Sequence, residues 1–146
     1  MKSKTTTAFL AFTLGVFGAH RFYLRGFGDV LGWFLPIPTA LGLYGLERVQ
    51  LYGLDDPWSW ILIPILGFTF SACALTAIVY GLMTPEKWKA YMGYPADAPV
   101  GRTHWGTVGI VAVSLLVGAA VLMSSLVYSF QRYFEHQVEL AQQISN

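Results

Sequence analysis

A single cysteine, Cys73, is all the thiol that this 146-residue chain carries, which excludes an internal disulfide and a thiolate metal cluster. Charged residues are equally scarce, at 12% with a net charge of +1, and the Lys and Arg stand in short islands between apolar runs. No basic face of the kind that holds nucleic acid can be drawn from them. Only three histidines are present, His20, His104 and His136, each at the end of a different apolar run, so no spacing puts two on one helical face as a metal site needs. There is no Ser-His-Asp order, no acidic pair at working distance and no phosphate-cradling glycine loop; Gly26-Phe27-Gly28 is a turn signal. Cys73 lies in mid-run, where a thiolate is strongly disfavoured and a small apolar side chain packs well. The expectation is a chain without catalytic, cofactor or metal sites, and not an enzyme.

What the chain has in excess is apolar side chain: 55% of residues, more than a soluble domain of this length can bury. It is expected in a membrane, crossing it several times, with the plasma membrane or a bacterial inner membrane as the setting. Lys2 and Lys4 precede the apolar stretch from Ala8 to Ala19, but Phe17 and the following His20-Arg21 make a poor cleavage site. The stretch is therefore an uncleaved first span.

That span is expected over Thr5 to about Leu24, closed by a basic-aromatic turn, His20, Arg21, Phe22, Tyr23 and Arg25, at the membrane boundary. Its uncharged part is short for a 30 Å core, so Arg21 and Arg25 should snorkel, Arg21 meeting a lipid phosphate, a backbone carbonyl or an acid such as Asp29. Gly15, Gly18 and Ala19 form a small-residue face where a neighbouring helix can approach. The second span is expected from about Gly28 to Leu46, kinked or broken at Pro36 and Pro38, whose missing N–H groups and ring clashes prevent a straight helix. The run Lys2-Ser3-Lys4-Thr5-Thr6-Thr7-Ala8-Phe9-Leu10, then Gly15, Gly18 and Gly-Ala-His-Arg-Phe-Tyr-Leu from Gly18 to Leu24, resembles the TM-two domain family over roughly Lys2 to Leu54. Glu47 stands where that family more often has Asp. The resemblance implies a two-helix membrane hairpin with a cytoplasmic His-Arg-Phe turn, rather than an activity.

In the second half, Asp55-Asp56-Pro57 is a helix start, an acidic cap followed by proline in the first turn. A third span is expected from Trp58 to about Met83, with Trp58, Trp60 and Tyr80 in the aromatic belts, a mild bend at Pro64 and a small-residue centre including Gly67 and Ser71. Thr84-Pro85 repeats the cap, opening a short interfacial segment over 84–92; 93–101 is an irregular loop. A fourth span begins near Trp105, with Ser114 and Gly118 as packing residues, and runs to Gln131. An apolar stripe of Phe130, Phe134, Val138 and Ala141 then continues at helical spacing in a tail over 132–146. A helix from Trp105 to Ser145 is about 60 Å long at 1.5 Å per residue, so it must protrude from the bilayer or bend along it.

The expected fold class is thus all-α and integral to the membrane: four transmembrane helices as two antiparallel hairpins, 1–54 and 55–131, followed by the amphipathic tail. With alternate ends on alternate sides, Lys2, Lys4, Arg48 and Arg132 face Arg21, Arg25, Lys87, Lys89 and Arg102, a near balance that leaves orientation open. The expected function is that of an accessory or scaffold subunit acting through helix packing, its partners the lipid bilayer and other membrane-protein subunits or itself, and not nucleic acid. The alternative is a small channel or transporter with a site at the broken second helix.

Overall fold

A computed structural model describes residues 2–99 and 103–146; Arg102 and the last two residues of the 93–101 loop fall outside them. Among the described residues the chain is helical throughout, with no strand. Ser3 caps α1 (Lys4–Thr13), its hydroxyl accepting from the Thr6 N–H at 3.5 Å. A 3-10 turn (Gly15–Phe17) follows, then Gly18 in the left-handed region at φ 78°. This is a backbone shape that glycine adopts without the Cβ clash other residues meet. The chain re-enters helix as α2 (Ala19–Arg25), turns through Gly26, and starts α3 (Val30–Phe34) from Asp29. α4 (Pro36–Tyr52) begins at the first proline, which separates it from α3 at Leu35. The break expected at Pro36 and Pro38 is a single residue wide, because proline at the start of a helix forfeits no hydrogen bond. α4 outlasts the expected end at Leu46, continuing through Arg48 until Gly53 stops it.

Among the described residues, α5 (Pro57–Leu82) and α7 (Trp105–Ser145) are the two helices long and apolar enough to cross a membrane. Asp56 caps α5 and Pro57 fills its first position, while His104 caps α7. Between them Thr84 caps the short α6 (Pro85–Met92), closed by Gly93 at φ 71°. α5 is the centre of the molecule: α1, α4 and α7 all pack on it.

The first apolar run departs from the sequence expectation. It does not form one span ending at the His-Arg-Phe turn but folds back on itself at Gly15–Gly18. Lys2 Nζ donates to the carbonyl of Leu24, and the Ser3 N–H donates to Tyr23 Oη at 3.1 Å. A continuous helix would put residues 2 and 24 about 30 Å apart. The cause is local, since a 3-10 turn followed by a left-handed glycine reverses an α-helix. The reversal lies at mid-depth: Phe12 packs edge-on to Phe70 near the centre of α5, with ring centroids 6.1 Å apart, and the carbonyl of Val16 accepts from Thr39 Oγ1 at 2.7 Å. The first apolar run is thus not seen as the straight first arm of the expected N-terminal hairpin. α3 and α4, α5, and α7 each run the length of the bundle, and α1 with α2 enters from one end and returns to it.

Candidate functional site: the folded-back turn and the helix seams

The end of the bundle that receives the folded-back turn is held by polar contacts to the N-terminus. Lys4 Nζ donates to the Met83 carbonyl at 2.8 Å and to Thr103 Oγ1 at 3.0 Å. Thr5 and Thr107 share a hydroxyl contact, and Trp88 Nε1 donates to the Lys2 carbonyl at 3.3 Å. Trp88 is 2% exposed, packed with Ala11, Leu24, Ala77 and Tyr80. In the segment expected to lie in the interface, Trp88 turns into the core and Tyr91 is left half-exposed, its hydroxyl 3.2 Å from that of Tyr80. Burying an indole here gains apolar area while its N–H keeps a partner.

The residues of the turn separate into two environments. His20 is buried, its ring tilted against Tyr80 with centroids 6.3 Å apart, and its Nδ1 has no hydrogen-bond partner among the described residues. Arg21, for which the sequence left three partners open, donates through Nε to Asp29 Oδ2 at 2.6 Å, across the turn to α3. The Arg21 guanidinium holds the Asp29 carboxyl below the usual carboxylate range. Phe22 stacks on Phe27 and leans on Trp33, whose Nε1 donates to the Phe27 carbonyl at 2.8 Å. Tyr23 is tied to Ser3, and Arg25 closes α2 in an exposed position.

The small residues named from the sequence do not share one face. A Cβ on Gly15 would lie 2.9 Å from Cys73 Cβ on α5, whereas one on Gly18 would lie 2.2 Å from the carbonyl oxygen of Gly32 on α3. Ala19 opens α2 behind them, half-buried. Between α5 and α7 the approach is tighter. A Cβ on Gly67 would meet Ser125 Oγ at 1.8 Å, and one on Gly118 would meet Ala74 Cβ at 2.7 Å. Ser71 Oγ donates back to the Gly67 carbonyl at 2.9 Å and reaches the Gly118 carbonyl at 3.4 Å, while Ser114 is fully buried opposite. The contact recurs every seven residues, at Gly67, Ala74 and Gly81 on α5 and Val111, Gly118 and Ser125 on α7. This is the period of helices that wind around one another.

Sequence reasoning missed the seam between α4 and α5, where a Cβ on Gly42 or Gly45 would meet Leu66 Cβ at 2.2 Å or Leu62 Cβ at 2.5 Å. The signal was available, two glycines three apart facing two leucines four apart. At the far end of this seam Arg48 clamps the start of α5, its Nε and Nη2 donating to Asp56 at 2.7 and 3.0 Å, with the Ser59 hydroxyl donating to the same carboxylate at 2.6 Å. The Arg48 contact, and after it the Ser59 hydroxyl, hold the Asp56 carboxyl far below the usual range. Pro36 and Pro38 lie at the start of α4. The tail residues Phe130, Phe134, Val138 and Ala141 are all exposed on α7.

Comparison with known families assigns the first third of the chain. The model of the TM2 domain matches residues 1–47, which cover the folded-back hairpin, α3 and most of α4. The resemblance seen in the sequence therefore holds for the N-terminal part, and the match stops before α5. No curated protein and no solved structure matches the chain significantly. With a TM2 domain and two helices able to cross a bilayer, the chain is a membrane protein.

Proposed function

We propose that this chain is a multi-pass accessory or scaffold subunit that acts by helix packing and has no catalytic activity of its own. It crosses the bilayer three times, by α3 with α4, by α5 and by α7, and α1 with α2 forms a re-entrant hairpin reaching mid-depth from one side. Re-entrant backbone survives at that depth only where protein covers it, and α5 and α7 supply the cover here. The observation that carries the reading is the use of α5: glycine-mediated seams occupy its contacts with α4 and α7, so the bundle is closed, while the outer face of α7 carries large apolar side chains with nothing against them. Co-purification of the full chain from its native membrane in mild detergent tests this. Stoichiometric recovery of another membrane subunit supports it, and recovery of the lone monomer at every detergent strength refutes it.

One observation favours conduction instead. The re-entrant tip and α4, from Thr39 on, border a groove of about 650 Å³ lined by Val16, Thr39, Gly67 and Tyr128. Its walls are almost entirely apolar, which opposes an ion path. Reconstitution in liposomes separates the readings, since a channel or transporter dissipates an ion gradient and a scaffold leaves it intact.

A further inference from the structure

We infer that the outer face of α7 is a self-association surface on which a second copy of this chain packs in parallel. The inference deepens the accessory reading by naming one partner. On α7 the residues against α5 recur as Thr107, Val111, Ser114, Gly118, Val121 and Ser125. Two residues further round, about 200° at 100° per residue, a second series keeps the same alternation of four and three: Val113, Leu116, Ala120, Met123 and Val127, all exposed. It continues without a skip beyond the start of α5 as Phe130, Phe134, Gln137, Ala141 and Ile144. Continued through the amphipathic tail, a 3.5-residue repeat is the spacing of helices that wind left-handedly about one another.

The occupant is argued from charge. In this register the tail's ionisable side chains, Arg132, Glu135, His136 and Glu139, all fall on the side facing α5 or away from the seam. Arg132 reaches Asp55 at 3.9 Å, and His136 lies against Trp60 with ring centroids 6.2 Å apart. The positions flanking the seam are Gln131, Tyr133, Val138, Leu140 and Ser145, all uncharged, so two identical tails meet without like charges opposed. Copies in one membrane share an orientation, which makes the contact parallel and two-fold symmetric about the membrane normal. Gln137 then faces its own copy, the sole polar side chain in the tail's seam and a device that fixes register. Beyond Arg132 the helix leaves the apolar bundle, and there the exposed Phe134 and Ile144 gain what lipid-facing residues do not, removal from water.

The test uses the full chain in dilute proteoliposomes under mild oxidation. Gln137→Cys should give a disulfide-linked dimer, while Glu139→Cys and the parent with its buried Cys73 should not. Phe134→Lys, which places like charges in the seam outside the bilayer, should shift the detergent-solubilised chain from dimer to monomer by mass, and Glu139→Lys should leave it dimeric with the same melting temperature. Absence of the Gln137→Cys dimer, equal crosslinking at positions 137 and 139, or an unchanged mass for Phe134→Lys each overturns the proposal. A tail lying on lipid gives the first of these outcomes. A chain that is monomeric by these measures yet co-purifies with another subunit overturns the dimer alone, whereas a dimer that co-purifies with nothing else and dissipates gradients overturns the accessory reading alone.

Discussion

Asp56 shows how much one side chain holds at the aqueous end of this bundle. It caps α5, accepts from Ser59 and anchors Arg48 of α4, so two helices register on one carboxylate. Because its pKa is lowered in the folded state, its stabilising contribution is complete above the unfolded value of about 3.9 and is lost only as pH falls through the lower folded value. Melting of the detergent-solubilised protein should therefore show no loss from this pair between pH 7 and about pH 4. Arg48→Gln removes the largest lowering cause, but the Ser59 hydroxyl, the second, still outweighs burial, so the carboxyl stays below its usual range. The variant should melt several degrees lower at pH 7, with a deficit that stays constant down to about pH 4; a deficit that already shrinks between pH 7 and about pH 5 contradicts this account. The glycines act at the same scale through distance. Gly42→Ala, with its Cβ 2.2 Å from Leu66 Cβ, should cost about 1–3 kcal/mol by overpacking. Gly28→Ala, with nothing within 4 Å, should melt like the parent.

Among the elements, the reversal at Gly15–Gly18 determines the rest of the N-terminal third. It brings Lys2 to Leu24 and lets Trp88 of α6 close over both. Single cysteines at Ser3 and Arg25 in a Cys73→Ala background should both react with an impermeant thiol reagent added to the same side of sealed vesicles. Labelling from opposite sides would restore a crossing first helix. Gly18→Val should disturb this hairpin most, since it strains a left-handed backbone and drives a side chain into the Gly32 carbonyl, 2.2 Å from its Cβ. Much of the element inventory was legible beforehand. Asp56-Pro57 and Thr84-Pro85 gave the starts of α5 and α6 because cap chemistry is local, and the long α7 followed from uncharged length and the continuing stripe. The reversal was not legible, for an apolar run of suitable length carries no record of whether it crosses or returns. That depends on the backbone at Gly18 and on α5 being present to cover the tip. Trp88 was misplaced for a related reason, since an amphipathic aromatic suits a membrane surface and a capped core equally. The tail stripe was visible, but its register became definite only when the positions facing α5 were known.

At the scale of the whole molecule, the folded-back run redistributes the charges whose count the sequence left balanced. The near balance assumed that the first run crosses, which puts Lys2 and Lys4 opposite Arg21 and Arg25. With the run folded back they share one end, and Lys87 and Lys89 of α6 join them there. The other end holds Arg48 and Arg132, among Glu47, Asp55, Asp56, Glu135 and Glu139. Lys and Arg in short connections near the spans are retained on the cytoplasmic side, and acids count for little. Among the described residues, six Lys and Arg against two therefore predict a cytoplasmic N-terminus and turn, and a C-terminal tail on the opposite face. A reporter that is active only outside the cytoplasm should be active when fused after Asn146 and silent when fused before Lys2, the outcome for three crossings. Four crossings would place both termini on one side and give both fusions the same response. Moving the bias supplies an independent check: Asp55→Lys with Glu139→Lys, combined with Lys87→Gln, Lys89→Gln and Arg102→Gln, leaves four Lys and Arg at each end and should yield molecules in both orientations. If that variant still inserts in one orientation, something other than the basic residues fixes it, and the charge argument for orientation fails even where three crossings stand.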